Sequence, residues 1–114
     1  MRLSECPVRA VLEVIGGKWK PIIVFYLLDG TKRYGELRKF LPETTQKVLT
    51  QQLRELERDG ILARRVFAQV PPKVEYSLTP LGLTLRPVMK TLCDWGKRHG
   101  EKRSNKVPSR ASVV

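Results

Sequence analysis

The stretch from Thr44 to Gly60 constrains this chain more than any other, because its apolar residues fall only where a helix would need them. Leu49, Leu53 and Leu56 keep the i, i+4, i+7 spacing that puts side chains on one side, enough to pin a helix to a small core. Gln46, Lys47, Thr50, Gln51 and Arg54 project elsewhere, with Thr45 at the start of the segment. Lys47 and Arg54, seven apart, lie within about 20 degrees of each other around an ideal helix, and Thr50 and Gln51 fall beside them. Glutamine can bond adenine through two atoms, arginine can do the same for guanine, and lysine neutralises phosphate. The face therefore suits a DNA recognition helix. The alternative is the solvated side of an ordinary helix.

The segments around it supply a context. Pro7 followed by Val8, Val11, Leu12 and Ile15 predicts a short amphipathic helix stopped by Gly16-Gly17. Ile22 to Leu28 is apolar on every side; Pro21 near its start and Gly30 beyond its end favour helix over strand. Tyr34 to Leu41 reads as a third short helix with Leu37, Phe40 and Leu41 inward, ended by Pro42. After Gly60, Ile61 to Ala68 and Lys73 to Leu78 are strand-like, and Val74, Tyr76 and Leu78 alternate with Lys73, Glu75 and Ser77. Gln69-Val70-Pro71-Pro72 between them breaks the ladder and makes a stiff hairpin tip.

Thr79-Pro80 predicts the cap of a last helix, in which Leu81, Leu85, Val88, Leu92 and Trp95 form a coiled-coil-like seam. Pro87 inside it forfeits the bond to the carbonyl of Leu83, so a kink is expected. The expected fold is α+β, mainly α: a winged helix-turn-helix with a two-stranded β wing and a C-terminal dimerisation helix. One domain covers residues 1–100, and residues 101–114 are expected to be a basic, disordered tail.

Charge narrows the partner. The 114 residues carry 22 Lys plus Arg against 11 Asp plus Glu, a formal net charge of +11, which points to a polyanion or else only to solubility. Arg64, Arg65 and Lys73 on the wing are candidates for contacts in a minor groove or along phosphates. Lys18, Lys20, Lys32 and Arg33 flank helix starts and are candidate phosphate clamps. Lys102, Arg103, Lys106 and Arg110 in the tail add at most weak affinity. A domain of this size reads few base pairs, so a homodimer on double-stranded DNA is the natural arrangement, built on the seam with Val8 and Leu12 of the first helix contributing.

No apolar run approaches the roughly 20 residues of a bilayer span, no signal-peptide start is visible, and no membrane partner is expected. Cys6 and Cys93 are too few and too far apart for a disulfide scaffold or zinc site, which fits a reducing, cytoplasmic location. Nothing calls for a metal or cofactor, and paired carboxylates and glycine-rich phosphate loops are absent from the sequence, so an enzyme is not expected. His99, in a basic stretch, reads as solvated. Tyr26, Trp19, Phe67 and Trp95 are either core filling or the walls of a ligand pocket.

Taken together, Cys6-Pro7-Val8, Ile15-Gly16-Gly17-Lys18-Trp19-Lys20, Arg33-Tyr34-Gly35-Glu36-Leu37-Arg38, the run from Leu49 to Gly60, and Val74-Glu75-Tyr76-Ser77-Leu78-Thr79 closely resemble the HxlR family of bacterial transcription regulators, relatives of the MarR group. The resemblance covers about residues 5 to 98. It implies a dimeric winged-helix DNA-binding protein, a repressor or an activator, controlling a nearby gene. In some members the cysteine matching Cys6 senses oxidants or electrophiles, which makes Cys6 a candidate redox sensor and an electrophile or other small molecule a candidate inducer. A thiol just before a helix sees its positive end, and Arg2 or Arg9 would lower its pKa further; Cys93 could resolve the oxidised thiol or simply pack. The competing interpretation is a non-regulatory winged-helix module that binds RNA or another protein.

Overall fold

Proline and glycine set the boundaries of the first elements. The computed structural model describes residues 7–100. Helix α1 (Pro7–Ile15) opens on Pro7, where the missing N–H costs nothing, and ends before Gly17, whose φ of 85° no branched side chain would tolerate. Helix α2 (Lys20–Leu27) has Pro21 in its first turn and buries Ile23, Val24 and Leu27. The apolar run around Ile22 is thus a helix, as its flanking Pro and Gly suggested.

Two residues, Lys32 and Arg33, then form strand β1, and helix α3 (Tyr34–Phe40) follows without a break. The Arg33 backbone N–H donates to Glu36 Oε1 at 2.8 Å, which satisfies an amide that the helix start would leave open. A short connection leads to helix α4 (Gln46–Arg58), capped by Thr45, whose hydroxyl accepts from the Val48 N–H at 3.1 Å. The connection is held from inside: Arg38 Nη1 donates to the carbonyl of the buried Thr44. Tyr34 Oη reaches the Gln46 carbonyl at 3.5 Å and so ties the starts of α3 and α4 together.

Strands β2 (Leu62–Phe67) and β3 (Lys73–Leu78) pair antiparallel, Leu62 opposite Leu78 and Phe67 opposite Lys73. These two strands are the expected wing, and β1 joins them in a three-stranded sheet, in the order β1-β3-β2, with Lys32 opposite Tyr76 and Arg33 opposite Glu75. Strand β1 was hidden because two charged residues give no alternating pattern; it exists because β3 offers them an open edge. Of the alternating residues on β3, Tyr76 is buried while Val74 and Leu78 are half-buried.

The last expected helix is interrupted. Thr79 caps a single turn, α5 (Pro80–Leu83), and helix α6 (Arg86–Trp95) starts afresh, followed by a π-helical segment from Gly96 to Gly100. The cause is Pro87, which has no N–H for the Leu83 carbonyl; a kink becomes a full break, with Pro87 placed in the first turn of α6, where it is tolerated. The chain divides there, after Thr84, into two compact units.

The core of the first unit is the set of leucines and isoleucines that the helical spacing singled out. Leu49, Leu53 and Leu56 of α4 are completely or almost completely buried, together with Ile23, Val24, Leu37 and Leu62. Each such side chain stabilises the fold by roughly 1.5–3 kcal/mol relative to leaving it in water. Their joint effect is to fix which side of α4 faces outward. In the second unit, Met89 is the buried residue of α6.

Candidate nucleic-acid interface

With Leu49, Leu53 and Leu56 inward, the opposite side of α4 carries Gln46, Lys47, Gln51 and Arg54 exposed and Thr50 half-buried. These five residues line one open concavity of about 620 Å³. Among the described residues neither Lys47 nor Arg54 has a carboxylate within ion-pair distance, so both cations are available to a polyanion. Thr45 lies at the edge of this face, with its hydroxyl engaged in capping the helix.

Behind the face stands a chain of polar contacts that the sequence did not announce. Lys20 of α2 is buried, and its Nζ lies 2.6 Å from Glu55 Oε1 on α4. The other carboxylate oxygen, Oε2, accepts from Gln51 Nε2 at 3.2 Å. Hydrogen bonds from Lys20 and then Gln51, with the charge of Lys20, hold the Glu55 carboxyl below its ordinary value. Lys20 was expected to clamp a phosphate; it is committed to Glu55 inside the protein instead. Glu55, half-buried on α4, thus links α2 to the reading side of α4. The Gln51–Glu55 spacing of four was visible in the sequence, but the burial of Lys20 depends on how α2 packs on α4.

The strand register sorts the wing cations onto two faces. Arg64 stands opposite Tyr76, while Arg65 stands opposite Glu75 and beside Arg33 across β3, so Arg64 and Arg65 point to opposite sides. Arg64 turns to α4, with its Nε 3.5 Å from Glu57 Oε1. Arg54, Arg64, Glu57, Thr50 and Tyr76 line a smaller notch of about 190 Å³ between α4 and the wing. Burial there raises the Tyr76 phenol above its ordinary value, a shift that the charge of Arg64 opposes.

On the other wing face, Arg65 and Lys73 both lie over the Phe67 ring, 4.7 and 4.5 Å from its centre, and Lys73 Nζ is 3.3 Å from Glu75 Oε2. Phe67 is therefore a platform for two cations. Arg33 and Lys73 come together around a hollow of about 260 Å³ beside Pro71 and Pro72 at the hairpin tip. Lys18 is exposed and lies over the Trp19 ring at 4.7 Å, and Lys32 donates to the Gly30 carbonyl at 3.4 Å.

The aromatic residues considered as a ligand pocket have neighbours within their own units. Tyr26 stacks on Phe40 with centroids 4.4 Å apart, and Trp95 lies against His99 at 4.9 Å. Leu81 sits in α5 rather than on the same helix as Val88, Leu92 and Trp95, so the expected seam is not one continuous row. Val88, Leu92 and Trp95 are nevertheless exposed on α6, as are Val8, Val11 and Leu12 on α1, and Leu85 is half-buried. Arg9, considered as a neighbour for Cys6, lies 3.7 Å from Glu13. Cys93 is a free, half-buried thiol, whereas Cys6 and the basic residues of the tail lie outside the described residues. No described helix is long and apolar enough to cross a membrane.

Known proteins share this fold. A profile of the HxlR-like helix-turn-helix family matches residues 14–104. The HTH-type transcriptional regulator YdeP of Bacillus subtilis (strain 168) is 56% identical over 97 residues, which are 85% of this chain and 76% of YdeP. Among solved structures, the redox regulator HypR in its reduced form is similar at 50% identity and a TM-score of 0.82, covering 88% of this chain and 99% of that one. A MarR-family transcriptional regulator from Porphyromonas gingivalis W83 is similar at 35% identity and a TM-score of 0.82, covering 87% of this chain and 97% of the other. These relatives are regulators rather than enzymes. The leucine-pinned α4, the wing in its three-stranded sheet and these likenesses agree: the chain belongs to the HxlR-like helix-turn-helix family of transcriptional regulators.

Proposed function

We propose that the protein is a homodimeric transcription regulator that reads a palindromic operator with α4, residues 1–100 acting as one domain and 101–114 as a basic tail. The observation that carries this reading is the outward face of α4, where Gln46, Lys47, Thr50, Gln51 and Arg54 share one concavity opposite three buried leucines. Two such helices, one per protomer, enter successive major grooves about 34 Å apart. Arg65, Lys73, Arg33, Lys32 and Lys18 contact phosphates on the flanks, and Arg64 joins Arg54 at the notch between α4 and the wing. The exposed apolar residues of α6 (Val88, Leu92, Trp95) and of α1 (Val8, Val11, Leu12), together with Leu81 and Leu85, are those that dimerisation would cover.

Cys6 is the proposed sensor. It precedes the first residue of a nine-residue helix, whose positive end favours a thiolate, and the similar protein HypR is a redox regulator solved in oxidised and reduced forms. Oxidation, or reaction with an electrophilic inducer, would then alter the angle between protomers and misalign both reading helices at once. The protein acts on DNA in the cytoplasm.

Selection of genomic DNA fragments by the purified protein at about 0.15 M salt tests the reading, since that salt suppresses plain electrostatic attachment. A palindrome with half-sites about one helical turn apart is expected. Binding without a shared motif that vanishes as salt rises would overturn it. For the sensor, Cys6→Ser is expected to abolish the response of DNA binding to thiol reagents while leaving the motif unchanged; an unaltered response removes Cys6 from the mechanism.

A further inference from the structure

Gln51 is able to read more than one base. Its carbonyl and one N–H match the donor and acceptor of adenine, whereas its two N–H bonds can instead be offered to the two acceptors of guanine. Which pair it presents depends on how the amide is turned, and a free glutamine side chain turns readily. Here the amide is not free. An ionised carboxylate only accepts hydrogen bonds, so Glu55 Oε2 at 3.2 Å holds Gln51 by its nitrogen and repels its carbonyl oxygen. Glu55 in turn cannot swing away, because its other oxygen lies 2.6 Å from the ammonium of Lys20, whose side chain is 9% exposed.

We infer that Glu55 is a positioning residue, anchored by Lys20, that fixes the Gln51 amide with its carbonyl and one N–H outward and so makes this protein prefer adenine to guanine at the base pair Gln51 meets. The inference rests on the proposed reading of DNA by α4. One N–H is spent on Glu55, and the carbonyl and the remaining N–H are the pair that adenine matches. Offering both N–H bonds to guanine would require breaking the bond to Glu55. Specificity at this position is thus set by a residue of α4 that touches no DNA, anchored by Lys20 on α2 behind the reading helix.

The decisive variant is Glu55→Gln. Its amide oxygen must still accept from the Lys20 ammonium, which turns its own N–H bonds toward Gln51 and requires the Gln51 carbonyl as their acceptor. The amide of Gln51 then faces outward by its nitrogen. Selection of randomised duplexes by the full-length wild type, by Gln51→Ala and by Glu55→Gln, each first shown to unfold cooperatively, reads this directly. The wild type is expected to prefer adenine at one base pair per half-site, Gln51→Ala to lose the preference at that pair alone, and Glu55→Gln to lower the adenine-to-guanine ratio there by roughly 5- to 10-fold, leaving the rest of the motif intact. Should Glu55→Gln fail to fold, Lys20→Met/Glu55→Met replaces the pair with apolar side chains of similar length and is expected to make Gln51 indifferent between the two purines.

A folded variant of either kind that keeps the wild-type ratio overturns the inference. So does a wild-type motif in which the pair lost with Gln51→Ala shows no preference for adenine, an outcome that leaves DNA reading by α4 standing. Absence of any motif for the wild type overturns the reading of α4 itself and the inference with it.

Discussion

Arg64 Nε lies 3.5 Å from Glu57 Oε1, so that the first wing strand is fastened to α4 by an ion pair at the edge of the notch that Arg54 and Tyr76 also line. The pair is partly exposed, and such pairs contribute at most about 1 kcal/mol to stability. Its larger effect is on charge. Glu57→Gln is expected to release a cation beside the reading face, raise affinity for duplex DNA, and steepen the slope of log affinity against log salt by about one. Fluorescence anisotropy across a salt series measures both; an unchanged slope shows that Arg64 does not meet a phosphate.

Acid removes the stabilisation that Glu55 supplies. Its folded-state carboxyl is held below the ordinary 4.5, so as pH falls the unfolded chain takes up the proton first. The stabilisation is therefore complete above that ordinary value and is lost as pH drops from it through the lower folded value. Asp94, held low by its hydrogen bond from Lys90, adds a contribution of the same sign. Thermal midpoints measured from pH 7 to pH 3 are expected to fall less steeply in Lys20→Met/Glu55→Met than in the wild type, with the Asp94 part retained.

Thr79 holds the end of the wing to the loop after α4. Its hydroxyl donates toward the Gly60 and Ile61 carbonyls and accepts from the Gly82 N–H at 3.0 Å, while its own N–H meets the Ile61 carbonyl at 3.0 Å. Thr79→Val keeps the shape and removes the hydroxyl, an expected loss of about 1–2 kcal/mol in urea unfolding.

Gly82 is fixed by the same corner. A Cβ there would stand 2.1 Å from the Ile61 carbonyl oxygen, closer than any contact allows. Gly82→Ala must push α5 away from that backbone and is expected to cost roughly 1–3 kcal/mol by urea unfolding, more than the helix propensity of alanine returns.

Leu92, half exposed on α6, is the residue with which to test association. Leu92→Glu is expected to lower the sedimentation-determined mass from dimer to monomer at micromolar protein. Circular dichroism should change little, because the side chain has no place in the core of the single chain. A variant that stays dimeric would move the interface elsewhere.

Most of the helical framework was legible in the sequence because α4 and its neighbours obey one rule each: leucines at helical spacing, Pro at a start, Gly at a stop. The buried set Leu49, Leu53 and Leu56 follows from spacing alone. What could not be read depends on partners distant in sequence. Strand β1 is defined by β3, some forty residues away, and contributes only Lys32 and Arg33. Lys20 looked like every other cation near a helix start until α2 packed on α4 and enclosed it with Glu55. The split between Arg64 and Arg65 needed the strand register, and Pro87 gave the site of the helix break but not that it would be complete.

Strand β1 has one further bearing on how the molecule works. Arg33 is at once the last residue of that strand and the residue that caps α3, so the wing sheet continues into the helix-turn-helix with no linker between them. Under the proposed mode of DNA binding, the part that touches the flank of a site and the part that reads its centre are thereby joined like the two jaws of a fixed-gap caliper. A displacement of the hairpin would be passed to α3, and through the tie between Tyr34 and Gln46 to the start of α4, without a joint to absorb it.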